Sequence, residues 1–376
     1  MQDRRKEKSY FDTYIDILPK AFDNFPIFYT MDERQWLEGS PFQNQISEKI
    51  KDIQADYNMI CAEVPDFSQF PLKEYSEIRM MVCSRIFGIE IEGVKTDGFV
   101  PYADMLNHKR PRQTAWTYTD DREGFIIEAL EDIKRGEQVF DSYGKKCNTR
   151  FLLNYGFINL DNDANEFPLN IAIDEEDKLF DQKEKLLGKS HYKRTFRVQV
   201  NFEEPIMHKF ISFLRFAEFD ESPALLYEIK SQYDQKYKHR QDDSDDMDSG
   251  RGSFQADDIP CISRRNERRV FEKIKLHCEY ALQQYPHTLE DDYAILAEDD
   301  PPMSKLSFNQ RNMVLFRSGE KEILTFLITF SDYVLDLLSL KFKDGKKKTQ
   351  NIPAAMESTR DYLQNYLIPL LVKENI

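Results

Sequence analysis

The chain has 376 residues, 40% of them hydrophobic and 32% charged, and its 28 Phe and 19 Tyr can supply large buried surfaces. This length favours two domains over a single core. The net charge of -15 and the pI near 5.0 would repel phosphate backbones. A nucleic-acid-binding function is therefore not expected, and basic proteins or peptides are the easier partners.

The cysteines and the chain start bear on the compartment. Five cysteines are widely spaced without a Cys-x-x-Cys pair, and the polar start MQDRRKEKSYFDTY does not lead into an apolar signal core. Reduced thiols and residence in the cytoplasm or the nucleus are expected. The most apolar stretch, Ile323 to Leu340, contains two aspartates at helical spacing, so it predicts a core helix and no membrane span.

Two amphipathic helices are predicted in the first part of the chain. From Pro41 to Cys61 the apolar residues step by three and four, and a second helix runs from Leu72 to Arg85, with Pro71 suited to its first turn. From Phe87 onwards the segments FGIEIEG, FVPYADML, TAWTYT and GFIIEAL are short and rich in β-branched or aromatic residues. They predict small strands with tight connections, followed by a helix near residues 148–154.

Beyond Phe167 the sequence predicts a helical lobe. Three apolar stripes recur at helical spacing, and Ser307 with Gln310 forms a candidate capping box. The stripes are Ile206, Phe210, Phe213 and Ala217; Val270, Ile274, Cys278 and Ala281; and Ile323, Leu327, Phe330, Val334 and Leu337. The acidic run at residues 241–258 predicts a mobile loop, because it holds too few apolar residues to fold alone and lacks calcium-loop spacing.

Two segments carry the chemistry: ADMLNH at residues 103–108, and SYGKKCNTRFLLNYGF at residues 142–157, which holds two Tyr-Gly pairs. Together they resemble the two core motifs of SET-domain protein methyltransferases of the Rubisco large-subunit lysine methyltransferase type. Arg85 resembles an arginine that precedes the Asn-His strand in that subfamily. The segment YIDILPKAFDNFPIFYT resembles the helical insert of these domains, and HTLEDDYAIL with FRSGEKEILTFL resembles their substrate-binding lobe.

Each motif residue also has a plainer interpretation. An isolated Asn-His pair after a strand is usually turn chemistry, and an isolated Tyr-Gly is usually a buried aromatic before a turn. Arg85 could equally be an ion-pair partner at a helix end, while Trp116 and Tyr118 are predicted to be packing residues. No second histidine or cysteine lies at ligand spacing from His108, so no metal is expected.

The resemblance implies an α+β fold in three parts. Residues 1–86 form the helical insert of the SET domain, residues 87–166 its C-terminal part, and residues 167–376 an all-α substrate-binding domain that contains the loop 241–258. The implied activity is transfer of methyl from S-adenosylmethionine to a lysine of a non-histone protein. The partner is thus a protein, with no nucleic acid, no membrane and an oligomeric state that the sequence leaves open.

The resemblance also implies residue roles. Tyr143 would orient the reacting amine, Tyr155 and Asp104 would shape the target site, and Arg85, Asn107 and His108 would bind the cofactor. Lysine must react as a free amine, and at its ordinary pKa only roughly one in a thousand is neutral near pH 7.4. Desolvation in a channel walled by tyrosines would raise that fraction.

One feature of the family pattern is not found in this sequence. SET domains of this type begin with a strand and a Gly-x-Gly turn against the cofactor, whereas residues 1–30 already resemble the insert that follows it. The Gly-x-Gly at Gly250 to Gly252 lies in the acidic run and is attributed to composition. The expectation is a truncated sequence rather than lost activity. The alternatives are a noncatalytic protein-binding scaffold and a protein-histidine methyltransferase.

Overall fold

The computed structural model describes residues 10–119, 124–188, 191–237, 254–298, 305–341, 348–349 and 352–373. The chain forms two compact units, the first of Met1–Asn165 with Leu296–Phe316 and the second of Glu166–Ile295 with Arg317–Ile376. Helices dominate, and the short strands pair two by two, which confirms the α+β class. No described helix is long and apolar enough to cross a membrane.

The helices of the first unit follow the predicted apolar spacing. Ile46 and Ile53 lie on the buried face of the long third helix, and the fourth helix follows Pro71 and ends at Arg85, as predicted. The helices are α1 (Asp12–Ile17), α2 (Met31–Gln35), α3 (Phe42–Glu63), α4 (Leu72–Arg85) and α5 (Asn148–Tyr155), with 3-10 turns at Pro26–Phe28, Pro65–Gln69 and Ala103–Met105.

The strands of the first unit form two hairpins and one short parallel pair. They are β1 (Ile86–Ile91), β2 (Val94–Phe99), β3 (Asn107–His108), β4 (Thr114–Thr119), β5 (Gly124–Ala129) and β6 (Phe140–Asp141). The β1–β2 hairpin turns through Glu92 and Gly93, both with positive φ, as a two-residue turn of this hand requires. Strands β4 and β5 pair antiparallel, whereas β3 and β6 pair parallel.

The core of the first unit includes a segment that lies late in the sequence. Phe42 on α3 is fully buried and its ring lies 4.5 Å from that of Phe316. Asn309 donates a hydrogen bond to the carbonyl of Asp23 at 3.0 Å and another to the carboxylate of Glu33 at 2.7 Å. Residues 296–316 thus belong to the first unit, whereas the sequence analysis had assigned them to the helical lobe.

The second unit is mostly helical, with one hairpin. Its elements are β7 (Phe167–Ala172), α6 (Phe180–Leu187), β8 (Lys193–Val198), α7 (Pro205–Ala217), α8 (Pro223–Tyr237), α9 (Arg264–Leu282), α10 (Leu289–Glu298), α11 (Phe308–Ser339, which begins in the first unit), α12 (Arg360–Tyr362), a π-helical stretch Leu363–Leu367, and α13 (Ile368–Lys373). The hairpin β7–β8 corrects the expectation of an all-α lobe. Its signal was the alternation of Phe167, Leu169 and Ile171, which are all buried.

The predicted apolar stripes form the core of the second unit. Phe210 and Phe213 on α7, Val270 on α9, and Phe330 and Leu337 on α11 are fully buried together. The predicted capping box at the start of α11 is confirmed, because Ser307 and Gln310 exchange side-chain-to-backbone hydrogen bonds.

The acidic run was predicted to be mobile over residues 241–258. Residues 241–253 lie outside the described part of the chain. The end of the run is packed: Phe254 and Ala256 are buried, and Asp257 accepts a 2.5 Å hydrogen bond from Tyr233. For residues 254–258 the prediction is therefore wrong, because two apolar side chains and tyrosine partners hold the acidic residues in place.

Candidate active site

The two motif segments meet in the first unit. Strand β3 pairs with β6 so that Asn107 lies opposite Phe140 and His108 opposite Asp141. Immediately after β6, the backbone N–H of Tyr143 donates to Nδ1 of His108 at 3.0 Å. The Tyr143 hydroxyl donates back to the carbonyl of Leu106 at 2.8 Å. Residues some 35 positions apart in the chain are thus joined by backbone pairing and by two side-chain hydrogen bonds.

His108 is held as a neutral imidazole. Burial, together with the nearby charges of Lys146 and Arg110, lowers its pKa to about 4. Its ring packs against Phe151, with centroids 4.7 Å apart. Because Nδ1 accepts the N–H of Tyr143, the proton of the neutral ring resides on Nε2, which is buried and has no hydrogen-bond partner among the described residues.

Asp104 lies in the 3-10 turn before β3, and its side chain is fully buried. One carboxylate oxygen, Oδ2, accepts the hydroxyl of Tyr14 at 2.6 Å and Nη1 of Arg85 at 2.9 Å. Arg85 also donates to the Asp104 carbonyl at 3.1 Å. The other oxygen, Oδ1, has no partner among the described residues. The turn thus holds a fixed carboxylate with one buried oxygen that has no partner among the described residues.

The helix-end arginine therefore has a specific partner. Arg85 is the last residue of α4, and its guanidinium has 17% exposure where it pairs with Asp104. Burial and the hydrogen bond to Asp104 both raise the pKa of Tyr14, which keeps that phenol protonated. Arg85 is thus an ion-pair partner at a helix end, as in the plainer interpretation, but its partner is a buried carboxylate of the cleft and not a surface one.

The two tyrosines of the second motif form an aromatic wall. The rings of Tyr143 and Tyr155 stack with centroids 5.0 Å apart and an interplanar angle of 25°. Burial raises the pKa of Tyr143 to about 12, and burial also raises that of Tyr155. Both phenols therefore stay protonated at neutral pH and can offer ring faces and hydroxyl groups, but no phenolate.

The glycine after Tyr155 explains the second Tyr-Gly pair. Gly156 caps α5 with φ of 75°, in the left-handed region. A Cβ at this position would meet the side chain of Asn24 at 2.4 Å. Asn24 in turn donates to the Gly156 carbonyl at 3.2 Å, so the end of α5 is tied to the segment before α2. Glycine at this position allows the close approach that sets the direction of the Tyr155 ring.

These groups surround a cleft of about 190 Å³ in the first unit. Four of the predicted site residues line it: Arg85, Asp104, Tyr143 and Tyr155. His108 lies behind Tyr143, and Asn107 is exposed at the parallel pair, outside the cleft lining. The remaining lining residues are Ser84, Ile86, Phe87, Gly88, Leu106, Trp116, Asp141, Ser142 and Lys146.

Trp116 and Lys146 also line the cleft, although neither was among the predicted site residues. Trp116 does pack, stacking on Phe125 at 5.2 Å, yet it also forms one wall of the cleft. Its signal was alternation along β4, which puts it on the same face as buried Thr114. Lys146, three residues beyond Tyr143, had no sequence signal beyond that proximity.

The arrangement suits orientation of a neutral ligand better than attack by a protein nucleophile. His108 is neutral, the phenols are protonated, and Asp104 is held by Arg85 and Tyr14. What the cleft offers is protonated hydroxyl groups and aromatic faces.

Comparison with known proteins agrees with this architecture. Residues 2–144 match the family model described as SET domain, and residues 174–324 match Rubisco LSMT substrate-binding. An actin-histidine N-methyltransferase from Gallus gallus is 24% identical over 376 residues, covering 96% of this chain and 59% of the relative. The protein of that name from Homo sapiens is 25% identical over 338 residues, covering 86% and 52%. The chain thus spans little more than half the length of these curated relatives.

Solved structures give the same fold. The SET domain of LSMT bound to lysine and AdoHcy aligns with a TM-score of 0.68 at 20% identity, covering 92% of this chain and 76% of that one. Rubisco LSMT bound to AdoMet aligns with a TM-score of 0.66 at 21% identity, covering 97% and 80%. This likeness concerns the fold. The two family matches identify a SET-domain region and a Rubisco LSMT-type substrate-binding region in the chain.

Proposed function

We propose that this protein is an S-adenosylmethionine-dependent protein N-methyltransferase whose acceptor is a lysine of a non-histone protein. The observation that carries the proposal is the convergence of the Asn107–His108 strand and the Tyr143 turn on one cleft walled by protonated tyrosines. The names of the relatives and of the solved structures support a methyltransferase, and the second family match supports a protein substrate.

The cleft favours an amine that has lost its proton. A lysine nitrogen can attack a methyl carbon only through a free lone pair, and burial between ring faces disfavours its charged form. Because the Tyr143 hydroxyl donates its own proton to Leu106, its oxygen would accept an N–H of the amine and so direct the lone pair, and Tyr155 would line the channel. Asp104, which also lines the cleft, would help to shape the site of the acceptor.

The residues around the cleft suit the proposed cofactor, which supplies an activated methyl group on a sulfonium. Its amino-acid end carries both charges, and the cleft presents the guanidinium of Arg85, which could face the carboxylate of that end. The exposed side chain of Asn107 is free to bind at the rim. His108 would contribute by fixing the backbone of Tyr143 against the same site.

A histidine acceptor is the second candidate, and the printed names of the relatives favour it. Tyrosine walls do not discriminate between the two nitrogen nucleophiles, because an imidazole also packs well on an aromatic ring.

The five free cysteines support residence in the cytoplasm or the nucleus, where thiols stay reduced.

Label transfer from S-adenosylmethionine tests the proposal. The full-length protein is incubated with the labelled donor and either actin or a cell-extract protein pool, and the methylated residue is identified by mass spectrometry. Tyr143→Phe is expected to slow transfer by about 10²-fold or more while S-adenosylhomocysteine still binds. Tyr57→Phe is the matched control, since it also removes a tyrosine hydrogen bond to a carbonyl, at 2.7 Å to Phe70, away from the cleft.

Each outcome has a defined meaning. Methyl on lysine supports the proposal, and methyl on histidine alone supports the second candidate. No transfer together with no binding of S-adenosylhomocysteine in calorimetry would contradict both and favour a noncatalytic protein-binding scaffold. Equal rates for Tyr143→Phe and Tyr57→Phe would remove the proposed role of Tyr143.

A further inference from the structure

Lys146 places an amine inside the cleft. Its side chain folds back over the Tyr143–Gly144 turn, where its ammonium donates to the carbonyl of Tyr143 and lies 6.0 Å from the ring centre of Tyr155. Asn162 fixes the backbone at this position by donating to the Lys146 carbonyl at 2.9 Å.

Gly144 makes room for this fold-back. It has φ of 91°, and a Cβ at Gly144 would lie 3.4 Å from Nζ of Lys146, which is tighter than most contacts of this kind. The first Tyr-Gly pair therefore does more than turn the chain. It leaves space for a lysine ammonium beside the aromatic wall.

Neither carboxylate of the cleft lining pairs with Lys146. Asp104 is paired with Arg85 at 2.9 Å, and Asp141 is buried, with its Oδ1 accepting the hydroxyl of Thr114 at 3.3 Å. Burial raises the pKa of Asp141.

Among the described residues, the charged groups nearest to Lys146 supply no negative partner for it. Arg150 is a cation near it, His108 is neutral, and within the described part of the chain no carboxylate lies at ion-pair distance from Nζ. Burial and Arg150 lower the pKa of Lys146, but its ammonium keeps a carbonyl acceptor that an incoming amine lacks. When the amine of a target lysine lies beside Lys146, Lys146 should therefore keep its proton and the target amine should lose its own.

We infer that Lys146 selects the neutral form of the target lysine, because its fixed ammonium makes a second cation beside Tyr143 and Tyr155 unfavourable. The inference rests on the proposed function with lysine as acceptor. For a target amine near the Tyr155 ring, a cation roughly 6 Å away at an effective dielectric constant of about 20 lowers the target pKa by about two units. A neighbouring cation activates lysines in other enzymes in this way.

Binding of a capped lysine at different pH values tests the inference without a known substrate. The probe is Nα-acetyl-L-lysine amide, whose ε-amine is its one titrating group, with S-adenosylhomocysteine present, measured by calorimetry from pH 7 to 9. Because the bound amine then has a pKa about two units below that of the free amine, wild-type affinity should rise about fivefold from pH 7 to 9. Lys146→Arg, which keeps the charge, and the exposed neighbour Lys145→Met should behave likewise.

Lys146→Met should reduce this rise to less than about twofold over the same pH range, because the charged probe then binds as well as the neutral one. An unchanged rise, or an equal weakening at every pH, would overturn the inference. Loss of S-adenosylhomocysteine binding by Lys146→Met with the rise preserved would also overturn it, since Lys146 would then serve the donor. Wild-type binding of S-adenosylhomocysteine with no probe bound at any pH would instead contradict lysine as the acceptor in the proposed function.

Discussion

The neutral state of His108 predicts a specific loss of stability in acid. Its pKa in the folded chain is about 4, against an ordinary value near 6.5. As the pH falls below 6.5, the unfolded chain takes up this proton first, so unfolding is favoured until the folded form also protonates near pH 4. The stability contributed by His108 is therefore complete above pH 6.5 and is lost between pH 6.5 and 4.

The size of the effect follows from the difference in pKa. A shift of about 2.5 units corresponds to about 3.4 kcal/mol, and partial solvent screening of this half-buried ring reduces the expected value to about 2 kcal/mol. His108→Gln isolates it, since glutamine does not titrate and its amide oxygen can still accept the N–H of Tyr143. The difference in unfolding free energy between wild type and variant should shift by about 2 kcal/mol from pH 7 to 4.5.

Urea unfolding followed by tryptophan fluorescence measures this difference in the first unit, which contains His108. The chain has two tryptophans, Trp36 and Trp116, and both belong to the first unit with His108. His191→Gln changes an exposed histidine of the second unit and serves as the control. A wild-type-minus-variant difference that stays constant from pH 7 to 4.5 would refute the assignment of His108 as a neutral buried ring.

Three further changes test packing and hydrogen bonding. Tyr14→Phe removes the 2.6 Å donor to Asp104 and should destabilise the first unit by about 1.5–3 kcal/mol in the same fluorescence assay. Phe42→Ala empties a fully buried position and should cost about 3–5 kcal/mol there, with little effect if the ring were not in the core. Glu267→Gln breaks a buried pair with Arg215 at 2.8 Å and should lower the stability of the second unit by about 3–5 kcal/mol in thermal unfolding followed by circular dichroism, while the fluorescence transition stays unchanged.

Local patterns predicted most of the regular elements because they depend on neighbours in the chain. The three-and-four spacing located α3 and α4, and β-branched segments located β4 and β5, with ends within a few residues of those observed. The hairpin β7–β8 was not predicted, because the alternation of Phe167, Leu169 and Ile171 extends over five residues only and is a weak signal by itself.

The interior of the candidate site was harder to predict because it depends on distant contacts. Tyr14 and Asp104 are 90 positions apart, and nothing in the segment around Tyr14 signals a carboxylate partner. The role of Lys146 in the cleft depends on a side-chain conformation set by the Tyr143 carbonyl and by the absence of a side chain at Gly144. Motif resemblance could name Tyr143, but it could not name the residues that the surrounding fold brings to it.

The site is held together mainly by side-chain-to-backbone hydrogen bonds, since its sheet is too small to do so. The pair β3–β6 has two residues in each strand, and such a short pair is not stable alone. It persists because His108 accepts the N–H of Tyr143, Tyr143 donates to Leu106, and Arg85 donates to the carbonyl of Asp104. The proposed functional residues are thus also structural ones. A loss of activity on substitution therefore identifies a chemical role only when the unfolding free energy of the first unit is measured on the same variant.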